Sequence, residues 1–554
     1  MSQAAGEEWE LIGYPVEEVN RYALSADTAH LERAKVAWAA LSKWLPSPLW
    51  PAPWMIEAAT ADLLAAYATD QTHDLRPAER LLRTAAADLL EGRTTATALN
   101  NLGCLSARRA DRTGASGDLR QAQDAFGDAG STALAAQAGD RLQLVARANL
   151  GTALYSAYLR DGSLEQLDEA RSWFNRAFDV ISPDEQTPDT PLVLPGHGPA
   201  PPLLLARAVP APTTMSPRLQ LDTIARTTVS TAMVYATAAA VTREQALHKT
   251  RHNSSAQSMD DDFESMRDLL ETWRELLEQL RPLISGSAAE LAVLTELGRI
   301  YRRRHDAAGD PQDLDLAIAR FDAAAGTQFG WAAGRPVRTA ELADLLLQRY
   351  DTYNSQGDLK RAALALRTAL AKIPPGTPRR GAPMRWWARC RRLEYARSKW
   401  TKDLADAVAI YREAVDEGMA SSAEDALLAA QDWADWAASR GSFREAAEAY
   451  GKALEALELL YRRQLLRLSK DSWLIRTRGL DGATAYALAR SGDRSGAAVT
   501  IERGRARSTS DALARRNPDL LQRLDAEHPD LRDRYLSATT ALGRLESGVH
   551  AEAT

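Results

Sequence analysis

Cysteine is nearly missing from this chain: two occur in 554 residues, Cys104 and Cys390, far apart and without C-x-x-C spacing. That excludes a disulfide framework or a cysteine-built zinc module and makes a reducing, cytoplasmic setting the expectation. Histidine is sparse and scattered. Only His248 and His252 stand i, i+4 apart, where a helix is expected to end, so the pair reads as a solvated helix end rather than a metal site. No phosphate-binding G-x-x-x-x-G-K-[ST] loop, G-x-S-x-G nucleophile turn or dinucleotide fingerprint occurs. The expectation is therefore no catalytic residue, no metal, no cofactor and no enzyme. A site assembled between helices from residues distant in sequence leaves no linear motif and stands as an alternative.

Other absences narrow the fold and setting. Alternating runs rich in Val and Ile are nearly lacking, which argues against a sheet. No run of about 18 apolar residues occurs, so no membrane span is expected. Met1 to Glu10 holds three glutamates and no basic segment before an apolar one, unlike a secretory signal. An excess of either charge is also missing. The 68 basic and 74 acidic residues are interspersed and leave a net −6, which disfavours a nucleic-acid partner.

What is present is alanine, leucine and arginine in a repeating order. Asn101-Leu102-Gly103 is followed by Ala122, Phe126 and Ala129, and Asn149-Leu150-Gly151 by Ala170, Phe174 and Ala177. Leu297-Gly298 is followed by Ala317, Phe321 and Ala324, and Leu342-Ala343 by Ala362, Leu366 and Ala369. The first small residue and the next alanine are 19 apart in all four, with the following steps 4 and 3. Ala59, Ala78, Leu82 and Ala85 fit the same frame, as do Ala388, Ala407, Tyr411 and Ala414. Trp433-Ala434 with Ala446, Tyr450 and Ala453 shows a shorter spacing of 12, as does Ala485 with Ala497, Ile501 and Gly504. Small residues let two antiparallel helices approach closely, and i, i+4, i+7 spacing keeps the second set on one helix face. The large residue is expected to fill the space between consecutive repeats. Gly-Asp-Leu at 117–119 and 357–359 is expected to mark the reversal, glycine ending one helix and aspartate capping the next.

This pattern resembles the tetratricopeptide repeat, with the first helix and turn lengthened by seven residues in several copies. The resemblance implies an all-α fold, a right-handed superhelical solenoid of antiparallel helix pairs with lengthened hairpins. The expected division is 1–182 for N-terminal helices and repeats, 183–217 for an insert, 218–516 for further repeats and 517–554 for a C-terminal helix and tail. The insert holds ten of the 25 prolines and reads as a surface loop between repeats, with a proline-rich recognition peptide as the alternative. A polar stretch at 249–259 reads as a second loop. Fourteen tryptophans, clustered at Trp38, Trp44, Trp50 and Trp54 and again from Trp386 to Trp436, are expected mostly in the core between helices. The N-terminal four are alternatively expected to cap the array.

In tetratricopeptide arrays the first helix of each repeat lines a groove. Carried onto this chain, the lining positions place Arg299 and Arg302 in one repeat and Arg385, Arg389 and Arg392 in another. The resemblance thus implies a basic stretch of groove suited to an acidic peptide or a C-terminal carboxylate. Residues 471–546, with Ile501-Glu-Arg-Gly-Arg-Ala-Arg at their centre, also look like the last repeats before the caspase-like domain of bacterial CHAT proteins. The chain ends at Thr554, where that domain is expected to begin. Together these readings imply a protein-interaction scaffold or sensor that regulates a separate CHAT protease. A regulator binding a small ligand is the alternative, or one binding nucleic acid through Arg462, Arg463, Arg467, Lys470, Arg476 and Arg478.

Overall fold

The computed structural model describes residues 13–22, 27–46, 49–69, 74–87, 92–113, 115–137, 140–161, 163–180, 192–194, 203–206, 234, 236–244, 268, 271–285, 288–326, 335–377, 380–463, 473–474, 477–514, 531–534 and 536–538. The polar stretch 249–259, His248, His252, Arg467, Lys470, Arg476 and most of 517–554 lie outside them. The chain forms two compact units, Met1–Arg160 with Leu164–Ala407, and Val408–Thr554 with Asp161–Ser163.

The larger unit is built of helices joined pairwise by short turns. Helical residues 13–22 and α1 (Thr28–Trp44) precede the pairs α2 (Ala52–Thr69) with α3 (Arg76–Ala87), α4 (Gly92–Thr113) with α5 (Ser116–Ala135), and α6 (Asp140–Asp161) with α7 (Leu164–Phe178). After the insert come α8 (Ala288–Ala308) with α9 (Pro311–Gly326), α10 (Arg335–Tyr353) with α11 (Gln356–Leu370), and α12 (Gly381–Ser398), followed by α13 (Thr401–Ser421), which belongs to the smaller unit from Val408 on. The smaller unit holds α14 (Ala423–Ser439) with α15 (Phe443–Arg463) and α16 (Leu480–Ser491) with α17 (Arg494–Ala514). The fold is an all-helical repeat of antiparallel pairs, as the sequence pattern requires. Among the described residues the one departure from helix is a two-stranded antiparallel ribbon inside the insert, β1 (Leu192–Leu194) with β2 (Leu203–Leu205).

The repeat stripe is the core of each pair. Ala122, Phe126, Ala129, Ala170, Phe174, Ala177, Ala317, Phe321 and Ala324 are all at most 2% exposed. The aromatics also meet their own hairpin. A Cβ added at Gly103 would fall 2.5 Å from the Phe126 ring, one at Gly151 2.9 Å from Phe174, and one at Gly298 2.7 Å from Phe321. The phenyl ring therefore sits on the glycine of its own hairpin. Where the first position is alanine, at Ala59 and Ala343, the second-helix residue is the smaller Leu82 or Leu366, and all four are fully buried. The trade does not extend to every hairpin, since Ala388 is matched in the same frame with Tyr411, and both are fully buried.

Comparing hairpins locates the seven extra residues. Helix α8 runs to Ala308, well beyond Gly298, and α9 starts at Pro311, six before Ala317. Helix α14 ends at Ser439, five past Ala434, and α15 starts at Phe443, three before Ala446. The connection itself is no longer, at 309–310 against 440–442, so the added residues lie in the helices, each of which gains about one turn of 3.6 residues. That extension carries a recurring ion pair. Arg109 meets Asp118 at 3.1 Å, Arg304 meets Asp313 at 3.3 Å and Arg349 meets Asp358 at 2.7 Å, always six residues past the small residue and four before the alanine. Each aspartate lies in the first turn of its second helix, where the helix dipole also favours a negative charge. This replaces the expected turn chemistry: Gly117 and Gly357 are helical, and the capping positions Ala115 and Ser355 make no side-chain cap. The left-handed residue at the second reversal is Asn354, with φ 53°.

Six of the twelve described tryptophans are buried as expected, Trp38, Trp50, Trp54, Trp386, Trp433 and Trp473, and Trp173, Trp273, Trp387 and Trp436 are half-buried. Trp44 and Trp400 are exposed. In the smaller unit Gly504 makes the close approach anticipated for it, since a Cβ there would fall 2.6 Å from the Asp481 carboxylate carbon.

Candidate functional site

One position of the first helix, two residues before the small one, recurs along the larger unit with a distinctive character. It holds Glu57, Asn101, Asn149, Glu296, Glu341 and Trp386 in successive hairpins. Glu57, Asn101, Asn149 and Glu296 are at most 3% exposed. A buried polar side chain costs free energy unless it is hydrogen-bonded, so each should have a dedicated partner.

For the asparagines the partner is the insert. Asn149 Oδ1 accepts from the Leu204 N–H at 2.8 Å, and its Nδ2 donates to the Leu204 carbonyl at 2.7 Å. Asn101 repeats the arrangement one strand period further on, accepting from the Ala206 N–H at 3.0 Å and donating to the Ala206 carbonyl at 3.0 Å. Asn100 Nδ2 and Cys104 Sγ add donors to the Leu204 carbonyl at 3.0 and 3.7 Å. A strand points its N–H and C=O pairs alternately to its two edges. The edge of β2 that does not face β1 is thus held by side-chain amides. Leu204, Leu205 and Ala206 are 3%, 0% and 5% exposed, so this part of the insert is core and not the expected surface loop.

Further along, the same face becomes charged. Arg243, in the helical residues 236–244, donates to Glu244 at 2.5 Å and to Glu296 at 2.8 Å. Arg299 reaches Glu296 at 3.5 Å and Glu341 at 2.6 Å, and Arg302 reaches Asp344 at 2.5 Å. Arg389 meets the other oxygen of Asp344 at 3.3 Å and also pairs with Asp351. Burial works against the charge of Arg243 and of Arg299, yet the facing carboxylates overcome it and hold both well above the usual guanidinium value. Three of the five groove arginines named from the sequence, Arg299, Arg302 and Arg389, are therefore brought together and largely neutralised by acids of neighbouring helices. Arg385 lies over the Trp386 ring at 5.9 Å, and Arg392 is half-buried on the same helix. A further arginine, Arg338, was not singled out by the sequence. Its Nη2 is buried without a hydrogen-bond partner, and burial, with Arg299 and Arg335 nearby, pushes its pKa down to about 10 against the pull of Glu341.

A cavity of about 790 Å³ lies elsewhere in this unit, between α1, α2 and α3. Trp38 and Trp50, with ring centroids 5.4 Å apart, line it together with Asp62, whose pKa burial raises despite Lys35. No cluster of metal-ligating side chains occurs among the described residues. Both thiols are buried, and burial pushes Cys390 up to about 12 and Cys104 higher still, so neither is a ready nucleophile. No helix among the described residues is long and apolar enough to cross a membrane.

No protein-family model matches the chain, and no curated protein matches it. Among solved structures it is similar to a monomeric mutant of IFIT1 with Gppp-AAAA, at 14% identity and a TM-score of 0.40 over 86% of this chain and 78% of that one. The APC/C hetero-tetramer Cut9–Hcn1 gives 11% identity and a TM-score of 0.28 over 91% and 98%. The P58(IPK) TPR domain gives 14% and 0.21 over 86% and 99%.

Proposed function

We propose that this chain is a non-enzymatic scaffold or sensor that recognises another protein through an extended segment laid across the first helices of its repeats. The observation that carries this reading is the two-point grip of Asn101 and Asn149 on the backbone of alternate residues. A side-chain amide offering one acceptor and one donor to the same residue reads strand geometry and leaves side chains to be read separately. Both thiols are buried with raised pKa values, which disfavours covalent catalysis through cysteine. They accord with a cytoplasmic location.

Arg338, Arg385 and Arg392 add further positive charge, which suits an acidic stretch in the partner. Arg299, Arg302 and Arg389 would join in only by exchanging their present carboxylates for the partner's. The partner named by the C-terminal resemblance is a CHAT protease on another chain. A second reading, a small-ligand sensor, is favoured by the tryptophan-lined cavity, which has a size usual for ligand sites, and by the half-buried Asp62 on its wall. Capture with the full-length chain, followed by cross-linking, tests the main reading. Cross-links from a partner should map to α4, α6, α8, α10 and α12, and both N101A/N149A and R385A/R392A should weaken capture. Equal capture by all three proteins, or cross-links confined to other helices, would remove the reading.

A further inference from the structure

The side-chain amides of α4 and α6 are already occupied, and by this chain's own residues. We propose that β2 is a displaceable resident of a strand-binding seat, and that the segment replacing it is an extended, uncharged stretch of two large apolar residues followed by a small one. The inference rests on the extended-segment reading above and adds what competes for the seat and what fits it.

The bonds that hold β2 are directed at its backbone. Asn149 and Asn101 each spend both amide ends on one residue, and Asn100 and Cys104 reinforce one carbonyl. Any extended chain presents the same groups at the same interval, so the grip does not depend on the occupant's sequence. Selectivity comes from the side chains. Leu204, Leu205 and Ala206 are enclosed, and the groups bonded around them, Asn100, Asn101, Asn149, Thr60 and Cys104, are all neutral. A charged residue placed there would be buried among these neutral groups, which is costly.

Among the described residues the strand partner of β2 is the three-residue β1, and a ribbon of two short strands is marginal by itself. It joins the unit as a side branch whose bonds span 55 residues to Asn149 and 105 to Asn101, so it can leave without breaking any helical hydrogen bond. Local opening of this kind lies below the free energy of global unfolding. Cys104, fully buried beneath the Leu204 carbonyl, is a built-in reporter of that opening.

The test uses the full-length chain and a fluorescent peptide with the sequence of residues 201–208, Pro-Pro-Leu-Leu-Leu-Ala-Arg-Ala. Leu204→Pro removes the N–H that Asn149 accepts and disfavours the resident. The peptide should then bind roughly tenfold or more tighter than to the wild type, since the fraction of open seats sets the apparent affinity. Adding N101A/N149A should abolish that gain, and a peptide with aspartate at its second and third leucines should not bind. Equal affinity for wild type and Leu204→Pro would overturn the resident and leave strand recognition standing. A folded Leu204→Pro protein that fails to bind would overturn both. If Leu204→Pro does not fold, hydrogen exchange of the wild type decides: the Leu204 and Ala206 amides should exchange by local opening, ahead of the amides of α4 and α6. Exchange of all of them only by global unfolding would overturn the proposal. A wild-type dimer formed by trading β2 between copies would overturn the choice of a foreign segment.

Discussion

Replacing Asn149 by alanine isolates the energetics of the seat. In the wild type the Leu204 N–H has one acceptor, Asn149 Oδ1, on the edge away from β1. The Leu204 carbonyl has three donors, of which Asn149 Nδ2 is the nearest. Truncation leaves the N–H buried and unpaired, at about 1–3 kcal/mol, and removes one of several bonds to the carbonyl, at about 1 kcal/mol net. The seated strand should thus lose about 2–4 kcal/mol relative to the opened one. At about 1.4 kcal/mol per factor of ten, exchange of the Leu204 amide should accelerate by roughly 30- to 1,000-fold. Alkylation of Cys104 in the folded protein should accelerate alongside it, while α8 to α11 keep their protection. Asn149→Asp retains an acceptor for the N–H but sets a buried carboxylate against the Leu204 carbonyl, so it should open the strand further than alanine does. An N149A protein whose Leu204 exchange and Cys104 labelling stay within twofold of wild type would refute the reasoning. So would acceleration that merely tracks a global fall in stability.

Gly103→Ala should cost about 1–3 kcal/mol by overpacking against Phe126, measured by urea unfolding, and Phe126→Leu in the same chain should recover most of it by recreating the pairing of Ala343 with Leu366. Asp344→Asn removes the carboxylate shared by Arg302 and Arg389, so it should lower the unfolding midpoint yet strengthen binding of an acidic peptide that contacts this face; weaker binding would show that Asp344 orders the arginines for the ligand. Glu18 adds a pH signature. Burial would raise its pKa, but hydrogen bonds from His30 and Arg33 prevail and hold it below the ordinary 4.5. A depressed carboxylate contributes stability present above its unfolded pKa and lost as pH falls through the folded one. Between neutral pH and the region below pH 4.5, the wild type should lose more stability than Glu18→Gln, and parallel pH profiles would contradict this.

The helical pairs were readable because packing imposes a strict order: small residues at fixed intervals satisfy one steric demand, and the positions read as Ala59, Ala78, Leu82 and Ala85 are all completely buried. The site was less readable. The Asn-Leu-Gly motif drew attention for its glycine, while the asparagine answers to a backbone 55 or 105 residues away, which no local period encodes. The proline content of the insert pointed outward, although Leu204 to Ala206 point inward. The arginines are visible in the sequence, but their counter-charges lie on other helices. Arg299 with Glu341 and Arg302 with Asp344 both lie 42 residues apart, as do Arg320 and Glu278, so opposite charges offset by one repeat were the available signal.

The pairing of each phenyl ring with the glycine of its own hairpin has a consequence for how such a chain evolves. A lock whose two halves lie a few dozen residues apart in one copy is inherited whole when that copy is duplicated. Its fit does not depend on which neighbour it lands beside. Seams between copies are then free to drift, to take on charge, or to admit a long foreign segment, as happens after Phe178. The cut falls between finished modules, and the array on either side keeps its grammar while the interruption acquires a use of its own.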